Sequence, residues 1–263
     1  MKTLLTDRDD QGVVIVTLNR PEKKNAMSVE MTLELMAVLD EVADSRADRV
    51  LVLTGAGDAF SSGADLTPGG GEESFGGGVG HALHGMRRLG RLIQRLHELP
   101  QPTIAAVNGV AVGAGCNLAL ACDLVVASDG ARFSEIFARR GLSLDAGGSW
   151  LLPRLVGLHK AKELAFLADI ISADEAERFG IVNRVVSAGD LEKVVGELAQ
   201  RIAAQPPIQV SITKKMLNQS LSVSMGEALE FEGVAQTMAF SSKDTAEAMQ
   251  AFLDKRDPIF KGE

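Results

Sequence analysis

One stretch of the sequence, residues 103–123, constrains the fold more than any other, and it reads TIAAVNGVAVGAGCNLALACD. Its first part, residues 104–107, is an apolar run typical of a strand, and Asn108-Gly109 marks the turn that ends it. Its last part, residues 116–122, contains one polar residue, Asn117, and therefore predicts a buried helix without a solvent-facing side. The stretch predicts a strand, a turn and a buried helix in succession, which is a unit of a mixed α/β core.

Glycines surround the predicted start of that helix. Gly113 and Gly115 have no Cβ atom, so another group can approach the backbone closely at these positions. The first N–H groups of a helix have no intrahelical acceptor, and the helix dipole adds partial positive charge to them. We therefore predict that this turn directs backbone N–H groups at an oxyanion or a phosphate.

A second stretch, residues 51–66, has the same order of features and reads LVLTGAGDAFSSGADL. An apolar strand ends in a glycine turn, a short segment follows, and Gly63-Ala64 stands at a predicted helix start as Gly113-Ala114 does in the first stretch. Two such units predict a repeated ββα architecture. The repeat is expected to bring the backbone N–H groups of Ala64 and Ala114 close to each other.

Composition and charge exclude several classes of protein. The 263 residues include 27 basic and 35 acidic side chains, a net charge of −8, which argues against a general surface for nucleic acid or anionic membranes. No uninterrupted apolar run of about 18 residues occurs, so we expect neither a membrane span nor a signal peptide. Cys116 and Cys122 are expected to be buried free thiols in a reducing cytoplasm. His81 and His84 are interpreted as ordinary helix residues, and no metal site is expected.

The pattern divides the chain into two expected units. Residues 1–204 are expected to form the ββα core, and residues 205–263, which begin at Gln205-Pro206-Pro207 and carry no strand signal, a C-terminal helical unit that packs on the core or on another subunit. Within the core, residues 68–80 are rich in glycine and predict a mobile loop. That loop is either a surface linker or a lid over a site at Ala64 and Ala114.

The stretch GLSLDAGGSWLLPRLVG and the residues before it allow alternative interpretations. Residues 133–140 predict one or two turns of helix, in which Glu135 and Arg139 would form an i,i+4 ion pair. Asp145 precedes a strongly apolar run. It is either an N-cap or turn residue, or a carboxylate in dry surroundings whose proton affinity suits a general base.

Six segments together resemble one known family. They are NRPEKKNAM, FSSGADL, VNGVAVGAGCNLALACD, GLSLDAGGSWLLPRLVG, SADEAERFGIVNRVV and a tail ending in AFLDKRDPIF. In this order they resemble the crotonase, or enoyl-CoA hydratase/isomerase, superfamily over essentially the whole chain. The resemblance implies a ββα spiral core with a C-terminal helical part, assembled as a homotrimer or a dimer of trimers. It also implies an acyl-CoA thioester as substrate and no separate cofactor, because coenzyme A is part of the substrate.

The resemblance also implies roles for individual residues. The N–H groups of Ala64 and Ala114 would polarise the thioester carbonyl, and Asp145 falls where some isomerases of the family carry a catalytic aspartate. Phe252 and Lys255 would come from a neighbouring subunit. The residues implied to contact the substrate are Lys23, Lys24, Ala26, Ser62, Asp65, Leu66, Gly113, Asn117, Phe137, Phe252 and Lys255.

Two departures from the family pattern bear on the reaction. Hydratases of the family use two glutamates to handle water, and at those positions this sequence has Asn117 and Phe137. An amide does not exchange a proton at neutral pH, and a phenyl ring has no polar atom. The sequence therefore favours an enoyl-CoA isomerase with Asp145 as its base. The alternatives are an enoyl-CoA hydratase of fatty-acid or aromatic-acid degradation and an acyl-CoA-binding protein without catalytic activity.

Overall fold

A computed structural model describes residues 1–66 and 79–263. Its strands are β1 (Leu4–Arg8), β2 (Val13–Leu18), β3 (Val50–Gly55), β4 (Ala59–Ser61), β5 (Thr103–Val107), β6 (Val110–Val112), β7 (Leu124–Ser128), β8 (Arg132–Ser134), β9 (Ile171–Ser172) and β10 (Arg184–Val186). Its α-helices are α1 (Val29–Asp44), α2 (Val79–His97), α3 (Ala114–Leu120), α4 (Gly148–Leu167), α5 (Ala173–Arg178), α6 (Leu191–Ala203), α7 (Pro207–Gln219), α8 (Met225–Phe240) and α9 (Lys243–Asp254). Two 3-10 helices span Pro21–Lys23 and Ile136–Arg140.

The strands form two sheets, and consecutive pairs of strands are divided between them. The larger sheet has the order β1-β2-β3-β5-β7-β10, and the smaller has the order β4-β6-β8-β9. Strands β3, β5 and β7 pair in parallel in the larger sheet, while β4, β6 and β8 pair in parallel in the smaller one. Each repeat therefore contributes its first strand to one sheet and its second strand to the other. This is the repeated ββα architecture of the α/β class that the sequence predicts.

Both faces of the larger sheet are buried, as is usual for parallel sheets. On one face, Val50 and Val52 of β3 pack with Ile104 and the apolar side of α6. On the other face, Leu51 and Leu53 belong to the main core, which includes side chains of α1, α2 and α3. This alternation follows from the two-residue period of a strand, so a single apolar strand contributes to two cores.

The C-terminal helices are attached to the core by polar contacts of α7. The ammonium group of Lys214 contacts Asp123 Oδ2 at 2.7 Å and the carbonyl oxygen of Gln101 at 3.1 Å, and Asn218 donates a hydrogen bond to the carbonyl oxygen of His97. The proposed division of the chain at residue 204 stays a prediction. Among the described residues, no helix is both long and apolar enough to span a bilayer.

Several local predictions agree with the structure. The β-branched run at residues 13–18 predicts a strand and forms β2. The spacing of apolar residues after Ser28 predicts a helix that Ser28 caps, and Ser28 does cap α1 by accepting a hydrogen bond from the Met31 N–H. Helix α3 is buried at each of its residues, although it ends at Leu120, before Cys122. Both cysteines are buried free thiols, as predicted. Most of the predicted loop at residues 68–80 lies outside the described residues, and its last two residues begin α2.

Two local predictions are wrong, and one is right only in part. Ala64 does not begin a helix, because it forms a parallel β-bridge with Met27. The helical turn predicted at residues 133–140 forms only at residues 136–140, as a 3-10 helix, while residues 133 and 134 end β8. Glu135 and Arg139 form no ion pair: Arg139 contacts Asp169, while Glu135 is buried.

Candidate functional site

A cavity of about 520 Å³ lies between the ends of the smaller sheet's strands, the start of α1, helix α2 and the segment before α4. This volume is within the usual range for small-molecule sites. Apolar side chains such as Met27, Leu89 and Ile136 form much of its wall. The backbone turns at Gly63-Ala64 and Gly113-Ala114 line the same cavity, so the structure brings the two predicted N–H turns together.

The bridge with Met27 explains the position of the Ala64 N–H group. Met27 donates a hydrogen bond to the Gly63 carbonyl at 2.8 Å, and its own carbonyl accepts one from the Asp65 N–H at 3.1 Å. In a parallel bridge of this kind, the N–H of the central residue points away from the partner strand. The Ala64 N–H therefore has no backbone acceptor in the bridge and lies at the cavity wall.

Ala114 has an N–H group in a comparable position. It is the first residue of α3, so its N–H lacks an intrahelical acceptor. Gly113 before it has φ +54° and ψ −128°, a conformation that favours glycine, and its own N–H donates to the Ser134 carbonyl at 2.8 Å. The two turns are in contact, because a Cβ atom placed on Gly63 would lie 3.6 Å from the backbone nitrogen of Ala114.

Gly115 allows this close approach. A Cβ atom placed there would lie 2.5 Å from the carbonyl oxygen of Ser61 and 2.7 Å from its Cβ atom, which is far below ordinary contact distance. The first turn of α3 therefore packs directly on the end of β4. The sequence predicts that Gly115 lets another group approach the backbone closely, and the structure agrees. The group that approaches it is the backbone of Ser61.

Asp145 lines the cavity from the segment before α4. The backbone carbonyl oxygen of Asp145 accepts hydrogen bonds from the Gly148 N–H and from the Asn117 side-chain amide, each at 2.9 Å. Ala146 and Gly147 follow with φ +46° and +78°, and Gly147, not Asp145, is the N-cap of α4. The N-cap interpretation of Asp145 is therefore wrong, whereas the turn interpretation is confirmed by the bond from the Gly148 N–H, three residues later.

The Asp145 carboxyl group is partly dehydrated. Its Oδ1 atom is buried without a hydrogen-bond partner among the described residues, and burial raises the pKa of Asp145 to about 6. The cavity is lined by one other carboxylate, Asp65, within the described residues. Asp65 is paired with Arg20 at 2.7 Å. Asp145 is thus the carboxyl group available to exchange a proton with a molecule in the cavity.

A second carboxyl group, Glu135, lies behind Asp145, and the sequence analysis did not identify it as a site residue. It is 3% exposed, and its Oε2 atom accepts a hydrogen bond of 3.3 Å from the Asn117 amide. The pKa of Glu135 is raised to about 7, mainly by burial; a hydrogen bond from Asn117 lowers it, the Asp145 charge raises it, and a hydrogen bond from Cys116 lowers it. In the sequence, the i,i+4 spacing from Arg139 makes Glu135 resemble one half of an ordinary ion pair. The pattern therefore does not indicate that Glu135 is a site residue.

The structure places eight of the predicted site residues at the cavity: Ser62, Ala64, Asp65, Leu66, Gly113, Ala114, Phe137 and Asp145. The predicted residues that do not line it are Lys23, Lys24, Ala26, Asn117, Phe252 and Lys255. Two cationic side chains that the sequence analysis missed, Arg88 and Arg140, line the cavity. Arg88 lies on the amphipathic helix α2, among other arginines. In the sequence it therefore resembles an ordinary solvated side chain.

Within the same described part of the chain, no group of three or more histidine, cysteine or acidic side chains is arranged to hold a metal ion. The groups that the structure places at the cavity include the two backbone N–H turns, Asp145, the arginines Arg88 and Arg140, and apolar walls. Such a set can stabilise a developing oxyanion and move a proton.

Comparison with known proteins gives consistent results. Residues 8–263 match the family model described as enoyl-CoA hydratase/isomerase. A 1,2-epoxyphenylacetyl-CoA isomerase of Escherichia coli is 38% identical, and the match covers 100% of both chains. A short-chain-enoyl-CoA hydratase of Clostridium acetobutylicum is 36% identical over 93% of this chain and 92% of the relative. The crystal structure of an enoyl-CoA hydratase from Bacillus anthracis superimposes with a TM-score of 0.94 at 35% identity, covering 99% of this chain and 100% of that one.

Proposed function

This chain belongs to the enoyl-CoA hydratase/isomerase family, and we propose that within this family it is an enoyl-CoA isomerase that shifts a double bond with Asp145 as its base. The observation that carries the proposal is the position of Asp145. Asp145 lines the cavity and has a carboxyl oxygen that is buried without a partner in the described part of the chain, while the other carboxylate residue that lines the cavity there, Asp65, is paired with Arg20.

Removal of a proton next to a thioester carbonyl places negative charge on the carbonyl oxygen. In our proposal the N–H groups of Ala64 and Ala114 donate to that oxygen, and the contact between the two turns keeps both donors in place before the reaction starts. Loss of one donor of this kind costs on the order of 3 kcal/mol in barrier height. Alanine is suitable at both positions because the backbone, and not the side chain, makes the interaction.

A double-bond shift moves one proton between two carbons, so one carboxyl group is sufficient. Asp145 would remove the proton from one carbon and return it to another carbon of the conjugated enolate. Addition of water requires groups that position and activate a water molecule, and Phe137 presents an apolar ring at the cavity where hydratases of this family have a glutamate. Asn117 lies beneath the site and does not line it, so this amide does not replace the other glutamate.

The substrate in this proposal is an acyl-CoA thioester with its acyl group in the cavity. Lys23 and Lys24 are exposed next to the Ser62 segment and are proposed to meet the phosphates of coenzyme A. Phe252 is 81% exposed and Lys255 is also exposed, and neither lines the cavity of its own chain. We propose that a neighbouring subunit of a homotrimer, or of a dimer of trimers, supplies them.

The exposed apolar side chains of the C-terminal helices support assembly of this kind. Met225 is 78% exposed, Phe240 66% and Leu253 72%, and burial of such large apolar side chains between subunits would stabilise an assembly. Sedimentation velocity at micromolar concentration tests the assembly. We expect a species of three or six chains, and a monomer would contradict the proposal.

A substrate panel tests the reaction. The purified protein is offered 3-enoyl-CoA, 2,4-dienoyl-CoA and crotonyl-CoA, and products are identified by chromatography. We expect isomerised products from one of the first two substrates and little hydration of crotonyl-CoA. Asp145→Asn should abolish isomerisation while a non-reactive acyl-CoA still binds.

Two results would support the alternatives. Rapid hydration of crotonyl-CoA would indicate a hydratase, which is the name carried by several relatives. Tight binding of acyl-CoA without conversion of any substrate in the panel would indicate a binding protein. A variant with the exposed Glu163 replaced, Glu163→Gln, controls for a simple change of charge.

A further inference from the structure

Glu135 is a buried carboxyl group that the proposed reaction does not use. It is 3% exposed, its Oε1 atom has no hydrogen-bond partner in residues 1–66 and 79–263, and it does not line the cavity. A buried carboxyl group without an ion pair costs folding free energy, and such groups usually have a structural or functional reason. Arg139, four residues further along the chain, contacts Asp169 and therefore leaves Glu135 without a cationic partner there.

One side chain connects Glu135 to Asp145. The Asn117 amide nitrogen donates to Glu135 Oε2 at 3.3 Å and to the carbonyl oxygen of Asp145 at 2.9 Å. Asn117 is itself completely buried. Because both hydrogen bonds start from the same nitrogen atom, the orientation of this amide fixes the backbone of Asp145 relative to the carboxyl group of Glu135.

The surrounding packing holds this amide in place. A Cβ atom on Gly148 would lie 2.5 Å from the Asn117 amide nitrogen and 2.8 Å from its Oδ1 atom, so the first residue of α4 lies directly against it. The backbone bend at Ala146 and Gly147 then directs the chain into α4. A shift of Asn117 would therefore move the segment that carries Asp145.

We propose that Glu135 is a positioning residue for Asp145, which it holds through Asn117, and that its ionisation adds a second negative charge behind the base. This inference rests on the proposed function of Asp145 as the base. Glu135 acts through another residue and does not touch the substrate, so it is not itself a catalytic residue.

The charges around Glu135 support a pH-dependent part of this role. The titratable groups that act on it are Asp145, from the segment before α4, and Cys116, from α3. Burial raises the pKa of the Cys116 thiol well above its ordinary value, so the thiol stays neutral. Burial raises the pKa of Asp145 to about 6 and is the main cause that raises the pKa of Glu135 to about 7, so both carboxyl groups change charge near neutral pH.

Two substitutions separate the hydrogen bond from the charge. Glu135→Gln keeps an oxygen that accepts from Asn117 but does not ionise, whereas Glu135→Leu removes both properties. At pH 6 we expect kcat of the Gln variant to be close to that of the wild type, and kcat of the Leu variant to fall roughly tenfold or more because the base is displaced. KM should be unchanged in both variants, because Glu135 does not line the cavity.

The pH profile tests the charge. For the wild type we expect log kcat against pH to show two ionisations, near 6 and near 7, and for Glu135→Gln only the one near 6. A profile of the Gln variant that superimposes on that of the wild type would overturn the charge role. A Leu variant that folds and keeps wild-type kcat would overturn the positioning role.

A second measurement does not depend on activity. The folded-state pKa of Glu135 is raised, so its contribution to stability is present below about pH 4.5 and is lost as the pH rises through about 7. The melting temperature of Glu135→Gln should therefore rise relative to the wild type between pH 5 and pH 8, whereas Glu163→Gln should show no such trend. Equal trends in the two variants would contradict the buried charge.

The two proposals fail in different ways. If Asp145→Asn keeps full isomerase activity, the proposed function is wrong, whatever the variants of Glu135 show. If Asp145→Asn is inactive while Glu135→Gln and Glu135→Leu both match the wild type in kcat and pH profile, only the role of Glu135 is wrong.

Discussion

Gly115 provides a test of the donor geometry that removes no functional group from the cavity. The substitution Gly115→Ala adds one methyl group, whose carbon would lie 2.5 Å from the carbonyl oxygen of Ser61 and 2.7 Å from its Cβ atom. Ordinary van der Waals contacts begin at about 3.4 Å, so α3 and β4 must separate by roughly 1 Å to accept it. Both neighbours are buried backbone segments, so rotation of a flexible side chain cannot relieve the overlap.

The expected magnitude follows from this displacement. Overpacking of a close-packed interior costs about 1–3 kcal/mol of folding stability. The same movement shifts the Ala114 N–H away from the Ala64 N–H, and misplacement of a donor by about 1 Å lowers a rate about 100-fold. We therefore expect Gly115→Ala to fold with a lower melting temperature and to lose about 100-fold in kcat.

A matched control is available on α6. Gly196 has no heavy atom within 4 Å of an added Cβ atom, and it lies in a helix, where alanine is favoured. Both variants are assayed for kcat with an isomerised substrate and for stability by thermal unfolding. If Gly115→Ala folds and has the same kcat as Gly196→Ala, the paired donors are not required, and the reasoning from contact of the two turns is wrong.

Three further predictions concern the base and the scaffold. Burial raises the pKa of Asp145 to about 6, and the base acts in its ionised form, so kcat should fall about tenfold for each pH unit below that value. A profile of kcat against pH, over the range in which the protein stays folded, checks this. Asn25 is fully buried and donates to the carbonyls of Ala56 and Ala59, so Asn25→Ala should cost about 3 kcal/mol in chemical denaturation, and a loss below 1 kcal/mol would refute its role. Lys214→Met leaves Asp123 partly buried without its cation and should cost about 3 kcal/mol or more, whereas Lys215→Met should cost little because Lys215 forms none of the ion pairs found in the described chain.

The parts of the fold that the sequence predicted well have local causes. The strand, turn and buried helix of residues 103–123 depend on apolar runs and glycines within the stretch, and each element forms there. Ser28 caps α1 because its hydroxyl group reaches an N–H three residues away. Local patterns of this kind are readable because the interacting groups are close in sequence.

The errors have long-range causes. Ala64 has a glycine before it like Ala114, but a bridge to Met27, 37 positions earlier in the chain, holds it in extended form. The predicted ion pair between Glu135 and Arg139 assumes an α-helix. The end of β8 and a 3-10 helix form there instead, and they direct the two side chains apart. The position of Asn117 beneath the cavity depends on the packing of α4 on α3, which has no signal in the sequence near it.

The candidate site itself was partly predictable. Asp145 and the two alanine turns follow from short motifs, and the structure places all three at one cavity. The cationic residues Arg88 and Arg140 come from a helix face and a 3-10 helix whose charges resemble ordinary solvated side chains. Their presence at the cavity depends on tertiary packing, so the sequence pattern alone could not distinguish them from surface charges.

Loss of deuterium from a labelled substrate tests the central claim, an enolate formed by Asp145 and held by two backbone donors. The protein is incubated with a 3-enoyl-CoA that carries deuterium on the carbon next to the thioester, and the label on that carbon is followed by NMR. We predict rapid loss of the label from that carbon, whether to the other carbon of the product or to solvent, with the wild type and with Glu163→Gln, and a rate at least 100-fold lower with Asp145→Asn, since removal of a general base costs about 100-fold or more. Loss of the label with Asp145→Asn at the wild-type rate would contradict the claim.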